Sequence, residues 1–526
     1  MWKFMLKSKK RLLVLLTILV TVVAVSLYVW AEDKKKENPL AELERFNEVL
    51  VKIKDYYVEE KSYSELMDAA IQGMLKELDP HSIYLSKHQY ENLLIDTKGE
   101  FGGLGIQIAV RDNYPTVISP IEDTPAYRLG IQAGDRIIEI EGESTKGWIT
   151  EQAVSKLRGR PGTQVNVTIG REGTEDSLHY TITREIIQVP SITYSDVIGD
   201  VGYVRIARFS ESTASELNEI LNDFDKRVMD GLVLDLRWNP GGLLTAACEV
   251  ADLFLDEKKL IVYTESRIPE HQQKFYSSQN NFHSGYPIVV LANGASASAS
   301  EIVAGALQDL DRAAIVGQTT FGKGSVQTVF RIGDSAALKL TTQKYFTPSG
   351  RSIHRDEVAE TPEEPEIADK ELKEEYHTAN GRIVYGGGGI TPDWELALPE
   401  YTDVQRRLDR RGIFFSFAVH YTAYNDAGEN FTVDDSVMKE FRSFIASNEI
   451  EVKDEEWNEH NTQYVKEGIK REVFRKLMGS KGAYIATIPV DEELNMVLDL
   501  FRQTETLEEM FNYIQQKNEL AKTEEK

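Results

Sequence analysis

One cysteine, Cys248, stands in 526 residues. No internal disulfide framework and no multi-cysteine zinc site can form from it. The scarcity does not fix the compartment, since many exported bacterial proteins also lack disulfides. An excess of positive charge is missing too: 60 Lys and Arg against 85 Asp and Glu leave a net charge of −25. Such a chain is repelled by phosphate backbones, which argues against a nucleic-acid partner. Internal repeats of solenoid length are absent. The nine histidines form no recognisable pattern near the segments that carry chemistry, and His283 and His354, the nearest, read as structural.

What is present is an ordinary globular mixture, 41 % apolar and 28 % charged, long enough for about three or four domains. The N-terminus differs. Lys3, Lys7, Lys9, Lys10 and Arg11 are followed by an uncharged stretch from Leu12 to Ala31, with Tyr28 and Trp30 near its far end. A helix of that length spans about 30 Å, the thickness of a bilayer core. The basic flank stays cytoplasmic, so the rest of the chain is expected beyond the membrane, in the periplasm or cell exterior. The competing expectation is a cleaved signal peptide and a secreted protein. Its small-x-small site, Ala24-Val-Ser26, lies inside the apolar stretch rather than after it.

Residues 1–37 therefore read as a membrane anchor and spacer, and 38–95 as a helical region from the three- and four-residue recurrence of Phe46, Val49, Leu50 and Ile53. Residues 96–186 read as a small β-rich domain with strands at Thr116–Ile118, Arg136–Ile140 and Gln164–Ile169. Residues 187–398 alternate strand and helix, which predicts an α/β core with a partly parallel, mixed sheet. Within it, 355–383 is acidic and proline-containing, as in Glu360-Thr-Pro-Glu-Glu-Pro-Glu366, and reads as an exposed loop. Residues 399–526 are mostly helical in pattern, with charged faces.

Three segments carry the chemistry: Asp235-Leu-Arg-Trp-Asn-Pro-Gly-Gly242, Ala292-Asn-Gly-Ala-Ser-Ala-Ser-Ala-Ser-Glu301 and Thr320-Phe-Gly-Lys-Gly-Ser-Val-Gln327. The first two follow strands, where open α/β sheets gather their ligand sites. Ser298-x-x-Glu301 fits a helix capping box. A serine at a helix N-terminus also sits beside unpaired N–H groups that can hold an oxyanion. The Ala299 N–H is one donor, and the backbone of Gly241 or Gly242 can supply another. Lys323 is a candidate base, which requires a neutral amine. No carboxylate lies within its segment, and Gln327 can orient the amine if the segment is extended. Gly317-Gln-Thr-Thr-Phe-Gly-Lys-Gly324 nearly matches a P-loop, but Gly324 replaces the Ser or Thr that holds magnesium, and a strand is predicted to follow.

These segments resemble the C-terminal processing peptidases, or tail-specific proteases. The likeness also rests on Leu78-Asp-Pro-His-Ser-Ile-Tyr-Leu85, Phe101-Gly-Gly-Leu-Gly-Ile106, Ala133-Gly-Asp-Arg-Ile137 and Leu157-Arg-Gly159, in order over about residues 39–355. The resemblance implies a serine endopeptidase with Ser298 as nucleophile, Lys323 as base and Gln327 orienting it. It places the oxyanion donors at the N–H groups of Gly242 and Ala299. It also implies that 96–186 is a PDZ domain holding a substrate's C-terminal carboxylate at Gly102, Gly103, Leu104, Gly105 and Ile106. No metal or cofactor is required. Arg158 and Arg160 read first as surface charge, and otherwise as a link between tail binding and catalysis. The alternative from another class is a catalytically silent PDZ scaffold that only binds tails. The helical C-terminal region is open to homo-oligomerisation or to docking of an adaptor or activator, and the sequence does not choose.

Overall fold

The computed structural model describes residues 38–227, 229–278, 283, 285–333, 336–355, 374–398 and 400–524. The expected membrane helix at 12–31 lies outside them. Among the described residues, no helix is long and apolar enough to cross a membrane. The chain divides into two units, 1–84 and 85–526.

In the first unit, helices Pro39–Tyr56 and Tyr63–Lys76 realise the predicted periodicity. The second opens on a complete capping box between Ser62 and Glu65. Beyond it, Asp79 accepts the His81 and Ser82 N–H groups at 2.8 and 2.9 Å and the Ser82 hydroxyl at 2.7 Å. That turn explains why the helical pattern stops at Pro80.

The second unit begins with helix Lys87–Lys98 and then a β-rich domain. Its six-stranded sheet runs Ile106–Arg111, Tyr114–Pro120, Arg136–Ile140, Gln164–Gly170 and Leu178–Thr183, with Glu143–Ser144 added beside Arg136–Ile140. Helix Thr150–Leu157 packs Ala153 and Leu157 against Ile137, Ile140 and Val167. The predicted strand-into-turn at 134–143 is present, with Glu141 and Gly142 both at positive φ.

The core sheet is mixed, as expected. Ile192–Ile198 is antiparallel to Val201–Ile206, and Gly231–Asp235, Ile288–Ala292, Ala313–Gly317 and Trp394–Glu395 then continue in parallel. The three central parallel strands are buried at every residue, so both faces must be covered. Helices Thr213–Phe224, Leu244–Asp252 and Ala299–Asp309 cover one face, against Leu232, Leu234, Ile288 and Val290. The other face, Val233, Val289, Leu291 and Val316, is covered by Leu494, Val497, Phe501, Met510 and Ile514 from helices Glu492–Gln503 and Leu507–Glu524.

The C-terminal region is therefore not one separate module. Its last two helices form the second outer layer of the core. Its earlier helices, from Asp403 to Thr487, build their own core around Phe414, Phe417 and Phe441 and reach the β-rich domain through Phe415 and Val419 against Ala133.

Part of the acidic loop is also structured. Residues 356–373 lie outside the described set, but Glu375–His377 and Ile383–Tyr385 form an antiparallel hairpin. Asp309 and Asp311 fasten it to the core by accepting the Ala379 and Asn380 N–H groups at 2.8 and 2.6 Å.

Candidate active site

Three loops leave the carboxyl ends of three neighbouring parallel strands; Gly242, Ser298 and Lys323 lie on them, Ala299 opens the helix after the second and Gln327 lies on the strand after the third. Asp235 ends the first strand, Ala292 the second and Gly317 the third. The order of the sheet thus joins the three sequence segments.

The serine run divides its labour. Ser296 is buried, receives the Asn293 N–H at 2.9 Å and donates to the Leu236 carbonyl at 2.8 Å. Ser300 is buried and donates to the Asn239 carbonyl at 2.9 Å, which also accepts the Ala297 N–H at 3.0 Å. These two serines bind the run to the neighbouring loop. Ser298 alone among the three is not fully buried, and it lines a cavity of about 660 Å³ together with Gly242, Lys323 and Gln327. Its backbone is at φ 55°, ψ −110°, a strained conformation for a residue with a side chain, of the kind that marks functional positions.

The capping box forms by its carboxylate half. The Ser298 N–H donates to Glu301 Oε2 at 2.7 Å, while the Glu301 N–H goes to the Ser298 carbonyl at 2.9 Å rather than to its hydroxyl. Glu301 does more than cap. It is fully buried, and its carboxylate also accepts from the Thr320 hydroxyl at 2.6 Å, the Gly322 N–H at 2.7 Å and the Lys323 N–H at 2.9 Å. Burial raises its carboxyl above the usual range, and these four hydrogen bonds offset part of that push. Tyr345 makes a second bridge, its hydroxyl 3.1 Å from the Ser298 carbonyl and 2.6 Å from the Lys323 carbonyl. Burial, with the Glu301 charge nearby, keeps that phenol protonated.

The Gly241–Gly242 turn presses on the same helix mouth. A Cβ on Gly241 would lie 2.8 Å from Ser298 Cβ and 2.9 Å from the Ala299 nitrogen. One on Gly242 would lie 2.0 Å from the Phe209 carbonyl oxygen, so only glycine allows this approach. Asn239 holds the turn, donating to the Ile206 carbonyl and accepting the Gly241 N–H, both at 2.9 Å.

Lys323 precedes strand Ser325–Ile332, so no helix N-terminus follows it and the P-loop alternative fails. Gln327 and Ser325 share a face, with the Gln327 amide donating to the Ser325 hydroxyl at 2.9 Å and to Thr341 at 3.3 Å. With its amino group so engaged, the Gln327 oxygen is the end left to receive an amine. Among the described residues no histidine lines the cavity. His283 is instead buried between Asp225 at 2.8 Å and Asn218 at 3.1 Å. A second lysine, Lys339, does line the cavity, and burial lowers its ammonium pKa. Sequence pattern alone gave it no signal.

A neighbouring cavity of about 310 Å³ opens between strand Ile106–Arg111 and helix Thr150–Leu157. Leu104, Gly105 and Ile106 line it. Gly102 and Gly103 belong to strand Glu100–Gly103, which pairs with Glu185–Gln188, and the Gly102 carbonyl faces away from that partner to accept the Gly159 N–H at 3.1 Å. Arg158 is not plain surface charge. It lines this groove, stacks 4.7 Å from the Phe101 ring centre and donates to Asn92 at 2.6 Å. Arg160 is exposed.

Residues 200–363 match the family model for Peptidase family S41, 116–171 a PDZ domain, 24–89 the activating protease CtpB N-terminal domain, and 404–461 a C-terminal helical domain of probable PDZ-proteases. A carboxy-terminal-processing protease of Bartonella bacilliformis is 43 % identical over 335 residues, covering 62 % of this chain and 77 % of the relative. The chain belongs to the carboxy-terminal processing protease family. Carboxy-terminal processing protease CtpB of Bacillus subtilis is 35 % identical, covering 64 % of this chain and 69 % of that one. A probable CtpA-like serine protease of Staphylococcus haemolyticus is 32 % identical, covering 80 % of each. The protein is thus a C-terminal processing serine peptidase carrying a PDZ domain, and the silent-scaffold alternative falls away.

Proposed function

We propose that this processing protease cleaves extracytoplasmic proteins whose C-terminal tails enter the groove at Leu104–Ile106, with Ser298 as nucleophile and Lys323 as general base. One observation carries the assignment: Glu301 and Tyr345 each bond to both Ser298 and Lys323, fixing the two backbones against each other. Neutral Lys323 takes the hydroxyl proton as Ser298 Oγ attacks a peptide carbonyl. The N–H groups of Gly242 and Ala299 receive the oxyanion, and Gln327 directs the amine. The protonated lysine then gives its proton to the leaving amine, and water releases the acyl group. The charge-free stretch Leu12–Ala31 anchors the enzyme with its catalytic unit outside the cytoplasm.

The tail assignment is tested with an unfolded reporter bearing either a free C-terminal carboxylate or the same terminus amidated. Losing charge-assisted hydrogen bonds lowers kcat/KM by about tenfold. Equal kcat/KM for the two reporters would show that the terminus is not read. The oxyanion assignment is tested by Gly242→Ala. The added carbon must displace the loop from Phe209, and the loss of one donor lowers kcat by at least about 100-fold. Wild-type turnover by a folded Gly242→Ala protein would remove that donor from the mechanism.

A further inference from the structure

The two loops that frame the active site are joined from behind by the C-terminal region. Helix Glu492–Gln503 begins at Asp491, whose carboxylate caps it by accepting the Leu494 N–H at 3.0 Å. From that fixed start, two carboxylates reach the core. Asp491 accepts from Arg237 at 2.7 and 3.1 Å. Glu493 accepts from Arg237 Nη1 at 2.6 Å through Oε2, and from the Gln318 amide at 2.7 Å through Oε1.

The residues it joins are not peripheral. Arg237 also makes a forked contact with buried Asp235, at 3.0 and 2.7 Å, which receives Arg205 at 2.8 Å and Tyr203 at 2.7 Å as well. Two residues beyond Arg237 lies Asn239, which holds the Gly241–Gly242 turn. Gln318 follows the strand Ala313–Gly317 and opens the loop that carries Thr320, Gly322 and Lys323. Glu493 therefore touches the root of the oxyanion loop with one oxygen and the root of the base loop with the other.

We propose that Glu493 is a positioning residue that sets the spacing of these two loops, so that this one side chain serves the active site while the rest of the helix covers the sheet. The proposal rests on the Ser298–Lys323 assignment. Such spacing matters because a misplacement of about 1 Å in a reacting geometry costs about 100-fold in rate. It also predicts a kinetic signature: the tail-binding groove is untouched, so kcat falls while KM holds.

The test compares wild type, Glu493→Ala, Glu493→Gln and Val497→Ala in the full-length protein. Val497 is buried against the sheet on the same helix but contacts neither loop root through hydrogen bonds, so its truncation loosens the helix without releasing the brace. Each is assayed for kcat and KM on an unfolded tail-bearing reporter, for Ser298 labelling by an organophosphonate, and for its thermal transition, well below that transition. Glu493→Ala is expected to lower kcat and the labelling rate by about 100-fold, with KM changed by less than about threefold. Glu493→Gln, which keeps one acceptor, falls between it and wild type. Val497→Ala lowers the transition while kcat stays within about twofold of wild type, as expected for a change confined to packing. Unchanged kcat in Glu493→Ala overturns the proposal, as does a loss in both variants that simply follows their thermal transitions. Ser298→Ala is run in the same assay: turnover by that variant would sink the serine assignment itself, whereas a dead Ser298→Ala beside a fully active Glu493→Ala would sink only the brace.

Discussion

Ser298→Ala and Lys323→Ala are each expected to fold, to keep the tail-binding groove and to cleave an unfolded reporter at least about 10⁴-fold more slowly than wild type. The two losses are expected to be similar in size and not to add in the double variant, because the proposed nucleophile and base act in one step. Lys323→Arg is the sharper probe. It keeps length and positive charge but cannot shed its proton at accessible pH, so it cannot serve as a base and is expected to be as slow as the alanine variant. The cavity supplies its own control in Lys339, a second, partly desolvated lysine that lines it. Lys339→Ala is expected to retain activity within about tenfold, the range of a contact made outside the reacting pair. An active Lys323→Ala beside an inactive Lys339→Ala would reassign the base. Rate measurements over pH on wild type, Lys323→Ala, Lys323→Arg and Lys339→Ala decide between the two lysines.

The candidate residues that share the cavity were legible as candidates because their spacing is local. Ser298, Lys323 and Gln327 each stand in a short run whose glycines, serines and flanking strands announce a loop at a sheet edge. The central strands were legible for a similar reason, since short apolar runs such as Leu232–Leu234 and Ile288–Ala292 leave few alternatives. Contacts that join distant segments left weaker marks. Glu301 was legible only as a cap, because three of its four donors come from Thr320, Gly322 and Lys323, about twenty residues on. Gly102 and Gly103 looked like part of one glycine-rich loop, and their pairing as a strand with Glu185–Gln188 was not visible across more than eighty residues of sequence. The C-terminal helices were readable as helices from their stripes. A stripe such as Leu494, Val497, Leu498 and Phe501 does not say which surface it meets, and here it is the second face of the catalytic sheet.

Glu301 also carries the second large effect. In Glu301→Gln one carboxylate oxygen becomes an amino group. Whichever way the amide turns, a donor then faces either the Ser298 and Lys323 N–H groups or the Thr320 hydroxyl and the Gly322 N–H. Thr320 has little freedom to adapt, because its oxygen already accepts the Ile390 N–H at 2.7 Å. Two buried donors left without acceptors cost about 2–6 kcal/mol together. Glu301→Ala strands all four and opens a cavity as well, so it is expected to yield less folded protein. The change in rate separates this role from a purely structural one. The strained Ser298 backbone is held in part by its N–H bond to Glu301. Release of that bond is expected to let the backbone relax toward an ordinary helical turn and to shift Oγ out of the position the proposed dyad requires. Glu301→Gln should therefore lose at least about 100-fold in kcat even at temperatures where its circular dichroism matches wild type. Retention of wild-type kcat by a folded Glu301→Gln protein would mean that the nucleophile's position is set by the Gly241–Gly242 turn and Tyr345, and that the carboxylate only closes the helix.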